Sequence, residues 1–124
     1  MGWSTEFRDE GRILRVLIEG RFSASQAMEM TRESVGVAAR ARVTRIMMDC
    51  SKAKFDIPIV DVYQVPDIYS SRGISHEARG AVLMPKGGVD RQMYEFYQDV
   101  CRNRGYFVQL FEDEAEAWEW LREA

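Results

Sequence analysis

The chain has 124 residues, of which 46% are hydrophobic and 30% charged, and it carries a net charge of -3 at pH 7. That length suits one domain with one core, the composition is that of a globular chain and not a disordered one, and the weak negative charge argues against a nucleic-acid binder. No apolar run approaches the ~20 residues that cross a bilayer, and the opening MGWSTEFRDEGR lacks the apolar stretch of a secretory leader, so a cytoplasmic protein is expected.

Residues 3 to 9 and 12 to 19 are two runs of β-formers about Glu10-Gly11, which predicts an opening antiparallel hairpin. Gly20 is expected to end the second strand. Ser23 or Ser25 can then cap a helix to about Ala41, whose inner face would hold Ala27, Met28, Thr31, Val35, Ala38 and Ala39. Residues 43 to 48 form a short apolar run, the pattern of a central strand covered on both faces, expected to stop at Asp49.

The segment 56 to 72 (DIPIVDVYQVPDIYSSR) is the least regular. Asp56 can cap a helix and Pro58 suits a first turn, but Pro66 must end or kink any helix that begins there, so two short helical pieces are predicted. Residues 79 to 84 read as another buried strand, closed by the loop Pro85-Lys86-Gly87-Gly88, after which Asp90 can cap a helix to Arg104. Met93, Phe96, Tyr97, Val100 and Cys101 should line its inner side. Residues 106 to 111 make the last strand. The closing helix has Asp113 and Glu116 at capping-box spacing, with Ala117, Trp120, Leu121 and Ala124 near one face.

The order implies an α/β fold: a single mixed, mostly parallel five-stranded sheet with an N-terminal antiparallel hairpin and about four helices, forming one domain over 1 to 124. Four stretches, IMMDCSKAKF, VYQVPDIY, RNRGYFVQLF and EAEAWEWL, make the chain resemble the SpoIIAA-like family of the STAS fold, which is grouped with CRAL-TRIO lipid-binding domains. The resemblance implies a non-enzymatic regulatory module, or a carrier of lipids or apolar metabolites. In phosphoregulated STAS antagonists a serine opens the helix after the central strand. Here Phe55-Asp56-Ile57-Pro58 occupies that stretch, so the hydroxyl is absent there, and Ser51 lies in a different part of the loop.

Asp49, Cys50 and Ser51 fall where a parallel strand should meet its loop, near a topological switch where open α/β sheets bind ligands. They are candidates for a site, and Cys50 for a nucleophile with a depressed pKa. The plainer alternative is a turn-capping Asp49 and a packed Cys50. Both cysteines, Cys50 and Cys101, are expected to be reduced thiols with no metal role. His76 is expected to be a solvated loop residue. The glycine loop before Asp90 lacks a phosphate-loop pattern, and Asp90 would repel phosphate.

Between Ile57 and Tyr69 the apolar side chains point in too many directions for one buried helical face. Core packing by a kinked segment, self-association and a greasy pocket beneath it all fit. The candidate ligand or partner surface is therefore Asp49, Cys50, Ser51, Phe55, Ile57, Val60, Tyr63, Ile68 and Tyr69. No catalytic group, metal or cofactor is assigned. A homodimer, a protein partner or an apolar small molecule is expected. Charge is uneven as well: Arg40, Arg42, Arg45, Lys52 and Lys54 cluster in 40 to 54, while 112 to 124 is acidic, which suits oppositely charged partners.

Overall fold

The computed structural model describes residues 2–123. Strands β1 (Gly2–Arg8) and β2 (Ile13–Ser23) form the expected hairpin. Asp9 and Glu10 both take left-handed φ (54° and 58°) and Gly11 N donates to Arg8 O at 3.2 Å, the arrangement whose twist matches paired strands. Helix α1 (Ala24–Ala41) comes next. Ser23 and Gln26 close a reciprocal capping box, Gln26 N donating to Ser23 Oγ and Ser23 N to Gln26 Oε1. Then come β3 (Arg45–Asp56), α2 (Ile59–Val62), α3 (Val65–Ser71), β4 (Arg79–Leu83), α4 (Arg91–Asn103), β5 (Phe107–Phe111) and α5 (Glu114–Arg122).

The strands lie in the order β1-β2-β3-β4-β5, with β1 antiparallel and the rest parallel. Right-handed crossovers that all step the same way across a sheet put every crossover helix on the same face. Accordingly α1, α3 and α4 share one face over a core of Leu14, Val16, Ile18, Phe22, Val82 and Val108. After β5 the chain turns under the sheet. There α5 closes a smaller cluster, with Ala117, Trp118 and Leu121 against Ile13, Met47 and Phe111.

Several local expectations are corrected. β2 continues through Gly20 (φ 97°) to Ser23, and β3 runs past Asp49 to Asp56, because β2 keeps pairing with it after β4 ends at Leu83. A bulge lies where Leu17 faces Asp49 but Glu19 faces Lys52, which places one extra residue on β3. It reverses the strand's alternation, so Cys50, Ala53 and Phe55 all reach the three-helix side. Asp56 caps no helix, and Asp90 occupies the N-cap position of α4 without a side-chain cap bond. Asp56 pairs with Arg21 at 2.8 Å, and Asp90 accepts both of its 2.7 Å bonds from Lys54 Nζ.

In α1 the buried stripe is turned toward Met30 and Ser34, leaving Met28 and Thr31 half-buried. Tyr94 is a buried anchor of α4 alongside Val100 and Cys101. In α5, Asp113 accepts from Glu116 N as expected, but Trp118 is the buried tryptophan. Trp120 lies half-buried, its ring tilted 5.7 Å from that of Phe111, and Ala124 lies outside the described residues.

The basic and acidic segments meet within the molecule. Arg45 donates to Glu123 O and Arg79 to Trp120 O, which sets cations at the negative end of α5. Arg122 grips Asp9 through Nε (2.6 Å) and Nη2 (3.1 Å), tying the hairpin turn to the last helix. Leu121→Ala should therefore lower the unfolding free energy by ~2–5 kcal/mol, as loss of a buried leucine does, and Ser23→Ala by about 1 kcal/mol through the lost cap. Urea denaturation tracked by far-UV circular dichroism measures both.

Candidate functional site

Asp49 is buried inside β3 and makes its bonds with the protein itself. Its Oδ2 accepts from Arg15 Nη2 at 2.8 Å, and its Oδ1 accepts from Ser51 N at 3.1 Å and from Ser51 Oγ at 2.6 Å. Arg15 also reaches Glu6 at 3.3 Å, and Glu6 holds Arg8 at 2.7 Å, so an ionic row crosses β3, β2 and β1. These groups pin the bulge. The strand order runs one way from β2 to β5, so the parallel part contains no switch point at which Asp49 would sit.

Cys50 faces the opposite side from Asp49. Burial pushes its thiol up to about 12, the neighbouring Asp49 charge adds to this, and a hydrogen bond with Tyr94 opposes it. Cys101 is also pushed up to about 12, again chiefly by burial. A nucleophile needs the opposite shift. The upward direction runs against the nucleophile candidate and fits the alternative of a packed Cys50. Among the described residues, no group of three or more His, Cys, Asp or Glu could hold a metal ion.

The segment from Phe55 to Tyr69 divides into two faces. Ile59, Val60 and Tyr63 on and beside α2 turn outward, exposed by 56%, 66% and 55%, a large value for apolar side chains. Val62, Val65 and Tyr69 turn inward, Phe55 and Ile57 pack beside them, and Ile68 lies half-buried. Pro66 sits in the first turn of α3, where its missing N–H costs nothing. Arg104, at the end of α4, clamps the segment by pairing with Asp67, donating to Tyr63 O at 3.2 Å and lying 5.2 Å from the Tyr63 ring centre.

Beneath this segment lie two apolar cavities between the sheet and its three helices. One, of about 80 Å³, is bordered by Val16, Ile46 and Val108 of the sheet and by Ser34 and Val35 of α1. The other, of about 90 Å³, is bordered by Cys50, Phe55, Val62, Val65 and Tyr94. Ile18, Met30, Thr31, Met48, Tyr69 and Tyr97 belong to both linings and so stand between them. The Tyr69 and Tyr97 hydroxyls are hydrogen-bonded to each other, and burial holds both phenols well above their ordinary pKa.

The structure thus brings together Cys50, Phe55, Ile57 and Tyr69 of the predicted surface around a cavity. It leaves Val60 and Tyr63 outside, and Asp49 and Ser51 in the ionic row. Sequence reasoning missed Met30, Ser34 and Tyr94. A serine among the small residues of α1's buried stripe was the readable signal. His76 stacks on the Tyr106 ring (4.4 Å between centroids), close to Gly105, while its residue remains exposed.

No protein-family model matches the sequence, and no curated protein matches it. The fold does match solved structures. The anti-sigma factor antagonist SpoIIAA in its unphosphorylated form is 16% identical, with 99% of this chain and all of that one covered at a TM-score of 0.58. The phosphorylated SpoIIAA of Bacillus is 17% identical, covering 98% and 100% at 0.57. An uncharacterised protein of the DUF3478 family with a SpoIIAA-like fold, from Shewanella loihica PV-4, is 15% identical, covering 97% and 92% at 0.61. The chain has the SpoIIAA-like STAS fold.

At pH 7, Cys50 and Cys101 should react with iodoacetamide roughly a thousandfold more slowly than a free thiol, as their suppressed thiolate fraction requires. Peptide mass spectrometry reads the rate at each site. The same burial makes unfolding free energy fall as pH rises between about 9 and 12: there the unfolded chain has released thiol protons that the folded chain keeps.

Proposed function

We propose that this chain is a non-enzymatic binding module that engages a protein partner through the outward face of α2. The observation that carries the reading is the exposure of Ile59, Val60 and Tyr63 on one short helix that Arg104 holds in place. Rigid apolar and aromatic anchors of this kind supply most of the energy of small interfaces. Beside them Asp61 makes no ion pair among the described residues, so the favoured partner presents an apolar contact framed by basic groups. The fold likeness to SpoIIAA, an anti-sigma factor antagonist, supports a regulatory role over a chemical one. The suppressed reactivity of both thiols points the same way.

A second reading, a small apolar ligand inside the molecule, is favoured by the paired cavities. At about 80 and 90 Å³ each is smaller than the ~150 Å³ that accommodates one benzene. A long acyl chain needs far more room, so the ligand reading is of ring size and not of a lipid carrier.

The test of the first reading uses Val60→Asp and Tyr63→Glu, with folding checked by circular dichroism. A partner co-purified from the native host and then produced pure should bind the wild type in titration calorimetry. Each variant should weaken Kd by at least ~30-fold, about 2 kcal/mol. Unchanged binding in both variants would remove the α2 face from the reading. Light scattering that finds a wild-type dimer, made monomeric by the same substitutions, would assign the face to a second copy of this chain.

A further inference from the structure

Ser34 stands apart from every other hydroxyl around the cavities. It lies in the interior of α1, is 6% exposed and lines the first cavity, yet no described group bonds its Oγ. Its neighbours are satisfied. Thr31 Oγ1 donates to Ala27 O at 2.8 Å, the usual back-bond of a helical hydroxyl, Tyr69 and Tyr97 bond each other, and Tyr106 pairs with Ser70 at 2.8 Å. A buried hydroxyl without a partner costs stability, and alanine at this position would fill nearly the same space with better helix propensity. Serine here is therefore a cost to the fold, which asks for an explanation outside the fold.

Position supplies one. The surrounding surface is almost wholly apolar, and its other polar side chains, Thr31, the tyrosines and Arg79, are held by bonds of their own, so Ser34 is the one unbonded polar point there among the described residues, the pattern that orients a small ligand. The side chains of Ile18, Met30, Thr31, Met48, Tyr69 and Tyr97 divide this cavity from the second. Methionine is unbranched and adapts easily, so the partition gives most readily at Met30 and Met48. Joined, the two spaces reach the size of a single ring. Arg79 also borders this cavity, but its guanidinium donates to Trp120 O and lies over the Trp120 ring, and Ser34 offers a buried charge no counter-charge, so the ligand is neutral.

We infer that the cavity system takes a small neutral molecule of about one ring, apolar over most of its surface, whose one hydroxyl, carbonyl or amide group hydrogen-bonds Ser34 Oγ. The inference rests on the second reading above and adds to it the polar anchor and the ligand class.

The experiment titrates the full chain with benzene and with phenol, tracking backbone amide shifts by NMR and the melting temperature. Both probes should shift residues around Met30, Ser34 and Tyr69, with phenol binding about three- to tenfold tighter than benzene. Ser34→Ala should abolish that preference, leave the benzene affinity unchanged and raise the melting temperature of the unliganded protein. Equal binding of the two probes by the wild type, or a phenol preference that survives Ser34→Ala, would overturn the anchor and leave the cavity reading standing. Failure of the folded wild type to bind either probe would overturn both.

Discussion

Strand order governs this molecule. Because β2 to β5 are laid down one after another in a single direction, the right-handed crossover rule sends α1, α3 and α4 to the same face. That face is then crowded and the other is left to α5 alone. Three helices of different length on one twisted sheet do not fill the space beneath them evenly. The two cavities lie on that crowded side. A doubly wound order would have split the helices between the faces and placed a crevice at the strand ends. Here the apolar space lies between the sheet and its three helices, while the hollow at the strand ends, of about 600 Å³, is bordered by charged groups such as Lys86, Glu112 and Glu114.

The bulge in β3 is the second structural decision, and it depends on the first. A strand paired on both sides has no freedom to change its alternation, but β3 outruns β4 after Asp49 and gains that freedom. The extra residue turns Ala53 and Phe55 toward the three-helix core, where Phe55 meets Phe22 with centroids 5.6 Å apart. Asp49 fixes the break by bonding Ser51 and, across the strand, Arg15. A buried carboxylate that would suggest chemistry in isolation is here the pin of an irregular strand. Its two oxygens take three donors, so the desolvation it suffers is met by the protein itself.

Much of the fold was readable from the residues. Strand and helix order, the hairpin, the broken middle segment and the five-stranded mixed sheet come from periodicity and from glycine, proline and capping signals, because those signals are local. What escaped is non-local. Nothing near Asp49 announces that β2 will continue to Ser23 and carry β3 with it. Asp56 and Asp90 have the right type and place for caps, but cations at Arg21 and Lys54, brought in from other strands, draw them away. The apolar surplus of 57 to 69 was visible, and its division was not. Which of Val60 and Val62 turns outward depends on where α4 lies, and no spacing within the segment records that.

The division has a consequence for how such a module works. α2 and α3 together form a thin plate: Ile59, Val60 and Tyr63 face outward, while Val62, Val65 and Tyr69 line the second cavity just behind. α2 rests on α4, α3 rests on α1, and Arg104 is the clamp that joins the plate to the end of α4. A plate of this kind has little core of its own, so its position is set by what lies on either side. Arg104 fixes that position, so the outer anchors and the inner lining are presented by one clamped element. The inner and outer readings of this segment are therefore two sides of a single element, whose two helices are joined by the short connection Tyr63-Gln64.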